Sequence, residues 1–252
     1  MTVGSITVPA FAGAGMRHFF GTRLQSHENL AKPLGARVLV SVKQVHGTDA
    51  LIIDRPPNEE ATYSGGWDAL ITNQPGVLLT VRTADCVPVL LHDPREKVVA
   101  AVHAGWRGAV AGIIPQTLAR MHAHFGSEAK DVRIVIGPSA GMCCYEVDER
   151  VMRPLREHYP YWNVVTRETG CGRAVLNLRE LIRRQALAEG LESRRVWTVN
   201  ACTICHADLF YSYRREGVVK QTMASGILLM QQNRRGVSSR PSPRRATSIG
   251  LS

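Results

Sequence analysis

Three residues of this chain carry the side-chain chemistry of a zinc site, namely His46, Cys86 and His103. Two imidazoles and one thiolate suit zinc, and three protein ligands with a vacant fourth position are typical of a catalytic rather than a structural site. Spacings of 40 and 17 residues separate the three along the chain, which excludes a zinc finger. The fold itself would therefore have to bring the three side chains together.

Cys86 follows Asp85 in a short polar segment between two apolar stretches, Val77–Val81 and Val87–Leu91. Burying an acid and a thiol is costly unless they are paired or bound to something. An inert core thiol is the alternative for Cys86, since free cysteine often packs as a small hydrophobe. The neighbouring acid favours a functional site, in which Cys86 is a metal ligand and Asp85 is a possible proton shuttle.

The two histidines each end an apolar run; His46 directly precedes a glycine, and His103 is followed by a glycine-bearing turn. Taken alone, His46 is more often a hydrogen-bonded structural histidine. His103 ends a predicted buried strand, and ligands gather at strand ends in α/β proteins. The turn after it contains Arg107 and leads into a helix whose free N–H groups could receive a phosphate or a carboxylate. An ordinary salt bridge is the alternative for Arg107.

Further cysteines form two motifs. Cys202, Cys205 and His206 spell the c-type haem attachment signature, but that chemistry requires export, for which the N-terminus carries no signal. The adjacent pair Cys143 and Cys144 could be a redox pair or a second metal site. Adjacent cysteines rarely bridge comfortably, so we expect these two to pack in the core.

An aromatic and basic segment lies near the C-terminus and contains Tyr211, Tyr213, Arg214 and Arg215. These side chains could stack on a nucleobase or contact a phosphate. A β-strand with its charges in solvent is the commoner outcome for such a pattern, and it is the prediction here.

The elements that must position these residues are predicted from hydrophobic periodicity. Short runs rich in β-branched residues predict strands at Val38–Val42, Ala50–Ile53, Gly76–Val81, Val87–Leu91, Val98–Val102 and Val132–Ile136. Helical periodicity predicts helices at Val110–Phe125, Asp148–His158 and Leu176–Ala188. Several strands are apolar throughout, which indicates burial on both faces. The fold class is therefore α/β or α+β, with a layered mixed sheet core flanked by helices.

Length and composition indicate one compact domain over residues 1–230 and a basic, disordered tail over residues 231–252. The net charge is +10, but the tail contains five arginines and no acid, so the rest is only mildly basic. Nucleic-acid binding is therefore not expected. The sequence contains no membrane span or secretory signal, and its six cysteines suggest reduced thiols or metal ligands. We expect a cytoplasmic protein, either a monomer or a homodimer.

These residues resemble the bacterial YfiH-type proteins, also called the multicopper polyphenol oxidase or laccase-domain family, which includes the mammalian protein FAMIN. The segments that carry the resemblance are Lys43–Gly47, Asp68–Thr72, Thr83–Leu91, Val102–Gly108, Ile136–Val147 and Cys202–Gly217. The resemblance implies a zinc site at His46, Cys86 and His103. It also implies a layered fold similar to the catalytic domain of cytotoxic necrotizing factor toxins.

The resemblance also suggests substrate-binding residues. Arg23 matches the family's early arginine, which faces the substrate, and Gln44 lies within the matching segment around His46. Together with Arg107 these are the predicted substrate contacts. The chain departs from the family pattern after Arg23, where Leu24 to His27 replace a glycine-rich stretch, and at Lys220 to Thr222. Ala140 and Met142 also replace commoner residues.

The resemblance implies phosphorolysis of the purine nucleosides adenosine, inosine and methylthioadenosine, accompanied by adenosine deamination. The expected small molecules are therefore a purine nucleoside and phosphate. One alternative is a zinc amidase that edits misloaded peptidoglycan precursors, and a second is a copper polyphenol oxidase. Nine scattered histidines are few for a multicopper site, so zinc is favoured over copper. A non-enzymatic binding protein would need a fourth protein ligand, such as Cys143 or His206.

Overall fold

The computed structural model describes residues 4–13, 15–25, 30–58, 63–218 and 220–231. Almost all of the predicted basic tail lies outside the described residues, and the domain boundary at residue 230 stays a prediction. Within the described residues, no helix has the length and apolar character needed to cross a membrane.

The described residues contain fourteen strands, seven helices and one 3-10 turn. Its strands are β1 (Ser5–Ile6), β2 (Met16–Gly21), β3 (Val38–Val40), β4 (Ala50–Ile53), β5 (Ala69–Thr72), β6 (Val77–Thr83), β7 (Val87–Asp93), β8 (Val98–Ala104), β9 (Arg133–Ile136), β10 (Glu146–Val147), β11 (Thr166–Gly170), β12 (Arg173–Leu176), β13 (Val196–Thr198) and β14 (Met223–Leu229). Its helices are α1 (Ala31–Leu34), α2 (Trp106–Val110), α3 (Ile113–Phe125), α4 (Glu149–His158), α5 (Trp162–Val165), α6 (Leu178–Ala188) and α7 (Tyr213–Glu216), and a 3-10 turn covers Ser193–Arg195.

Two mixed sheets and a layer of helices form the core. The central sheet has the strand order β13-β9-β7-β8-β5-β4, and the second sheet has the order β1-β2-β14-β6-β3. On β8, Val98, Ala100 and Val102 pack with the helices, whereas Val99 and Ala101 pack with residues of the second sheet. Both faces of the central sheet are therefore covered, which explains why its strands are apolar throughout. The predicted layered fold with flanking helices is confirmed.

Most predicted elements are present within one or two residues of their predicted bounds. The helix predicted over Val110–Phe125 is instead two helices, because Gly112 adopts a left-handed φ of 82° between α2 and α3. The strand predicted around Tyr213 is wrong. Residues Tyr213–Glu216 form a helical turn, whose start is capped by the Ser212 hydroxyl accepting the N–H of Arg215.

Two buried histidines make the stability of this fold sensitive to acid. The ring of His18 accepts the N–H of Val8 at 2.9 Å, and burial lowers the pKa of His18 to about 4. Burial, assisted by the charge of Arg133, likewise lowers the pKa of His92 to about 4. Both rings must therefore be neutral in the folded protein near neutral pH.

We expect the free energy of unfolding to fall as the pH is lowered from about 6.5 to about 4, because in this window only the unfolded chain takes up protons on these rings. The effect is at most ~3 kcal/mol per histidine. Denaturant titrations across this range should give a shallower pH dependence for His18→Gln, which keeps an acceptor for the Val8 N–H. The exposed His124→Gln is the control, and equal slopes in both variants would contradict the assignment.

Candidate active site

Strand pairing brings the predicted metal ligands together. Cys86 lies directly before β7, and β7 pairs with β8 in an antiparallel register that places Pro88 opposite His103. His46 lies in the loop between β3 and β4, with its Nε2 atom 3.8 Å from the Cys86 sulfur. The rings of the two histidines meet edge to face, with centroids 4.8 Å apart. The three ligand atoms lie within 4.8 Å of one another.

The donor set and its spacing suit one tetrahedral ion. Bonds of about 2.3 Å to sulfur and about 2.0 Å to nitrogen would place these two ligand atoms about 3.6 Å apart. The 3.8 Å between the Cys86 sulfur and His46 Nε2 needs only a small adjustment to reach that value. The same three residues line a cavity of about 620 Å³. The arrangement can therefore hold a metal ion beside a space large enough for a small-molecule substrate.

Asp68, which we did not single out from the sequence, organises the three ligands. Its carboxylate accepts the backbone N–H groups of Val45, His46 and Gly47 at 2.7 to 3.2 Å. It also lies 2.7 Å from Nδ1 of His103. Because this bond occupies Nδ1, the Nε2 atom of His103 remains for a metal. The sequence feature that indicates this role is an acid directly before the apolar strand β5, since a carboxylate buried there needs several hydrogen-bond donors.

Hydrogen bonds and charges shift the pKa values of two of the three candidate ligands. Burial alone would raise the pKa of Cys86, but hydrogen bonds from His103 and His46 and the charges of these rings lower it to about 7. Burial would lower the pKa of His103, but its hydrogen bonds to Asp68 and Cys86 raise it to about 9. The site therefore favours a thiolate near neutral pH, and a thiolate is the form of cysteine that binds metals.

Backbone geometry brings the His46 loop against the start of α2. His46 has a φ of 62°, in the left-handed region that few residues other than glycine adopt. A Cβ atom at Gly105 would lie 2.7 Å from the His46 ring and 3.2 Å from the Cys86 sulfur. A Cβ atom at Gly108 would lie 2.5 Å from the Gly47 carbonyl oxygen. Both glycines are therefore required for the loop and the helix to approach this closely.

Asp85 is buried, and its carboxylate contacts the C-terminal part of the chain. It accepts hydrogen bonds from the Thr203 hydroxyl at 2.6 Å, the Ser212 hydroxyl at 2.9 Å and the Arg214 N–H at 2.7 Å. Its φ of 94° is also left-handed. Asp85 thus holds the segment that ends in α7 beside Cys86. Its role as a proton shuttle stays a prediction.

The three predicted substrate contacts, Gln44, Arg107 and Arg23, differ in their position relative to the cavity. The side-chain amide of Gln44 bonds both backbone groups of Arg82, at 2.8 and 2.7 Å, so it fastens the His46 loop to β6. Arg107 lines the cavity with its guanidinium stacked on the Trp106 ring, 4.5 Å from the centroid. Arg23 is not among the cavity-lining residues. Its guanidinium bonds the Ala207 carbonyl and stacks on Tyr211.

Tyr145 and the aromatic and basic segment also contribute side chains to the cavity. Tyr145 and Arg214 both line the cavity, and the Arg214 guanidinium lies 5.1 Å from the centre of the Tyr145 ring. Burial, followed by the charge of Cys86, raises the pKa of Tyr145 to about 12, so its phenol can donate a hydrogen bond at neutral pH. Tyr213 also lines the cavity. The aromatic and basic segment thus contributes to the site as a helical turn.

We expect Asp68→Asn to lower the affinity for Zn²⁺ about 10- to 100-fold, because the amide is a weaker acceptor for the loop N–H groups and for the His103 ring. Competition with a chromophoric chelator measures this affinity. Asp93→Asn is a matched control, since Asp93 is equally buried and, within the part of the chain that the structure describes, its carboxylate accepts the N–H groups of Arg95 and Glu96 alone. Equal affinities in the two variants would contradict the role assigned to Asp68.

Characterised proteins with similar sequences carry enzyme names. The chain is 38% identical to a purine nucleoside phosphorylase of Bacteroides thetaiotaomicron, over 76% of this chain and 73% of that protein. It is 30% identical to adenosine deaminase RL5 of an unknown prokaryotic organism, over 86% and 87% of the two chains. The crystal structure of Bacillus licheniformis YfiH superposes with a TM-score of 0.80 at 26% identity, covering 85% of this chain and 92% of that one.

The family relationship rests on most of the chain. The family described as multi-copper polyphenol oxidoreductase laccase matches residues 23–230. This span includes strands β7 and β8 and the aromatic and basic segment. The YfiH-type resemblance inferred from the motifs is thereby confirmed, whereas the likeness to the toxin catalytic domain stays a prediction. The chain belongs to the multi-copper polyphenol oxidoreductase laccase family.

Proposed function

We propose that this protein is a zinc-dependent purine nucleoside phosphorylase that acts on adenosine, inosine and methylthioadenosine and also deaminates adenosine. The observation that carries the proposal is the convergence of His46, Cys86 and His103 beside a cavity lined by cationic and aromatic side chains. The names of the phosphorylase and deaminase relatives support the choice of substrate class.

His46, Cys86 and His103 would hold the zinc ion, which when bound supplies Lewis acidity and activates water. Asp68 fixes the orientation of the His103 ring and of the His46 loop. Tyr145 lines the cavity, and its neutral phenol is available to donate a hydrogen bond to a bound substrate. This chain therefore supplies both a rigid ligand set and a hydrogen-bond donor for a polar substrate.

Phosphorolysis requires a phosphate held beside the ribose, and Arg107 and Arg214 line the same cavity to provide the positive charge. In this reaction a phosphate oxygen forms a bond to ribose C1′ while the bond from C1′ to the purine nitrogen breaks. The purine leaves with a proton and the sugar keeps the phosphate. The stacking surfaces of Trp106 and Tyr213 are available for the purine ring.

Deamination replaces the C6 amino group of adenosine with an oxygen from water and releases ammonia. Asp85 is the proposed proton shuttle for this step. Both carboxylate oxygens of Asp85 already accept hydrogen bonds from Thr203, Ser212 or Arg214. A shuttle role therefore requires one of these hydrogen bonds to open during turnover.

Zinc is favoured over copper in this proposal because of the ligands. Among the described residues, two groups of three or more potential ligands occur, and only the group of His46, Cys86 and His103 contains histidine. Multicopper electron transfer draws on several histidine-rich centres. One metal ion with an open position instead suits Lewis-acid chemistry on a nucleoside.

We expect Cys86→Ala to abolish both the phosphate-dependent release of adenine from adenosine and the formation of inosine, because it removes the thiolate that offsets the charge of the metal. Chromatography of the reaction products with and without phosphate measures both reactions. Cys171→Ala is the matched control, since Cys171 is an exposed free cysteine outside the cavity.

The two alternative activities, amidase and copper oxidase, would give different products from the phosphorylase. Full nucleoside turnover by Cys86→Ala would contradict the proposal. Cleavage of a muramoyl-serine precursor without nucleoside turnover would replace it with the amidase. Blue absorbance with stoichiometric copper and oxidation of a polyphenol would replace it with the oxidase.

We expect Arg107→Ala to raise the KM for phosphate about 10- to 100-fold while zinc remains bound, because it removes a hydrogen bond to a charged ligand. Initial rates at varied phosphate measure this. Arg150→Ala is the control, since the Arg150 guanidinium is exposed and pairs with Asp148. An unchanged KM would contradict the assignment of Arg107, and the same titration of Arg23→Ala tests the predicted contact of Arg23.

A further inference from the structure

Four cysteine sulfurs meet outside the cavity described above. They belong to the adjacent pair Cys143 and Cys144 and to Cys202 and Cys205, and all four lie within 4.8 Å of one another. The Cys205 sulfur is 3.5 Å from that of Cys143 and 3.3 Å from that of Cys144. The expectation that the adjacent pair packs in the core is wrong, because Cys143 is exposed and Cys144 is only partly buried.

The spacing of the sulfurs suits a single tetrahedral ion. Zinc–sulfur bonds of about 2.3 Å place the four sulfurs of such a site about 3.8 Å apart. The observed separations of 3.3 and 3.5 Å and the upper bound of 4.8 Å bracket that value. An iron–sulfur cluster distributes its thiolates over several metal atoms and therefore needs wider spacing. All four residues are free cysteines, so no disulfide accounts for their convergence.

The surroundings of the Cys202 sulfur stabilise negative charge. The N–H of Gly141 points to the Cys202 sulfur at 3.2 Å. A Cβ atom at Gly141 would lie 3.2 Å from the Cys143 sulfur and 3.3 Å from the guanidinium of Arg179. The absence of a side chain at Gly141 thus lets the backbone, the cation and the thiols approach one another. Peptide N–H groups and a nearby cation are what an anionic thiolate site requires around it.

We propose that Cys143, Cys144, Cys202 and Cys205 bind a second, structural Zn²⁺ ion in a tetrahedral site made only of thiolates. Four protein ligands close the coordination sphere, in contrast to the three at His46, Cys86 and His103. The exposure of Cys143 and Cys205 gives the ion a path from solvent. The proposal is independent of the reaction that the protein catalyses.

The second ion would fasten two segments that support the first site. Ser139 and Cys202 form a parallel backbone bridge, with the Thr203 N–H bonding the Ser139 carbonyl at 3.0 Å. From these segments, the Ala140 N–H bonds the Asp85 carbonyl at 2.9 Å and the Thr203 hydroxyl bonds the Asp85 carboxylate at 2.6 Å. Asp85 precedes the ligand Cys86. Loss of the second ion would therefore loosen the backbone that positions Cys86.

The test is zinc stoichiometry and sulfur coordination in protein purified with a reductant. We expect two zinc ions per chain in the unaltered protein and in Cys171→Ser. One ion should remain in Cys205→Ser and one in Cys86→Ala. X-ray absorption at the zinc edge should give four sulfur neighbours for the ion left in Cys86→Ala. Zinc-free Cys86→Ala, or zinc with nitrogen or oxygen neighbours there, would overturn the proposal.

A second measurement keeps the proposal testable if Cys205→Ser does not fold. In the unaltered zinc-loaded protein, alkylation followed by peptide mass spectrometry should label Cys171 at least tenfold faster than the four clustered cysteines. A zinc chelator should remove that protection. Equal labelling before chelation, or a disulfide between Cys205 and Cys143 or Cys144 in the reduced preparation, would overturn the site. Neither outcome depends on nucleoside turnover, so a failure here is distinct from a failure of the proposed function.

Discussion

The carboxylate of Asp68 is the interaction on which the candidate site depends. A single buried anion accepts three successive backbone N–H groups of the His46 loop and the ring N–H of His103. Without it, three successive N–H groups of the His46 loop would lose their shared acceptor, and His103 would lose the bond that selects its free nitrogen. The central sheet provides the rigid frame, because Asp68 precedes β5 and His103 lies on the neighbouring strand β8.

Asp85 performs a comparable task for the opposite side of the cavity. It accepts two hydroxyl groups and one backbone N–H from a segment more than a hundred residues later in the chain. Arg215 shapes that segment by bonding the carbonyl groups of Thr203, Ile204 and Phe210. Residues close to Cys86 in sequence therefore determine where Tyr213 and Arg214 lie. One short polar stretch between β6 and β7 thus supplies a candidate metal ligand and organises the cavity wall.

The sequence predicts the layered fold well, since burial on both faces makes β7 and β8 apolar throughout. The three candidate ligands are recognisable by their residue types, and the fold brings them together. The sequence predicts the support of the site poorly. Asp68 supports the site because it binds N–H groups of the loop between β3 and β4 and the His103 ring on β8. Contacts between residues so far apart in the chain leave no periodic pattern in the sequence. Tyr213 to Arg215 look extended by composition, yet the Ser212 cap and the contacts of Arg215 make them helical. About 60 residues separate the pair Cys143 and Cys144 from the pair Cys202 and Cys205, so only the tertiary fold reveals their convergence.

The placement of His103 within the central sheet has a consequence for how a bound ion would leave. β8 lies between β7 and β5, and the His103 N–H is bonded to the Asp68 carbonyl at 2.7 Å. Amides in such central strands exchange with solvent only through large-scale opening, whereas loops open locally at much lower free energy. The His46 side chain is exposed and lies on a loop rather than on a strand, so it is the residue of the three whose movement would disturb the sheet least. If these residues hold an ion, its lifetime would depend on how often the hydrogen bonds between this loop and Asp68 open.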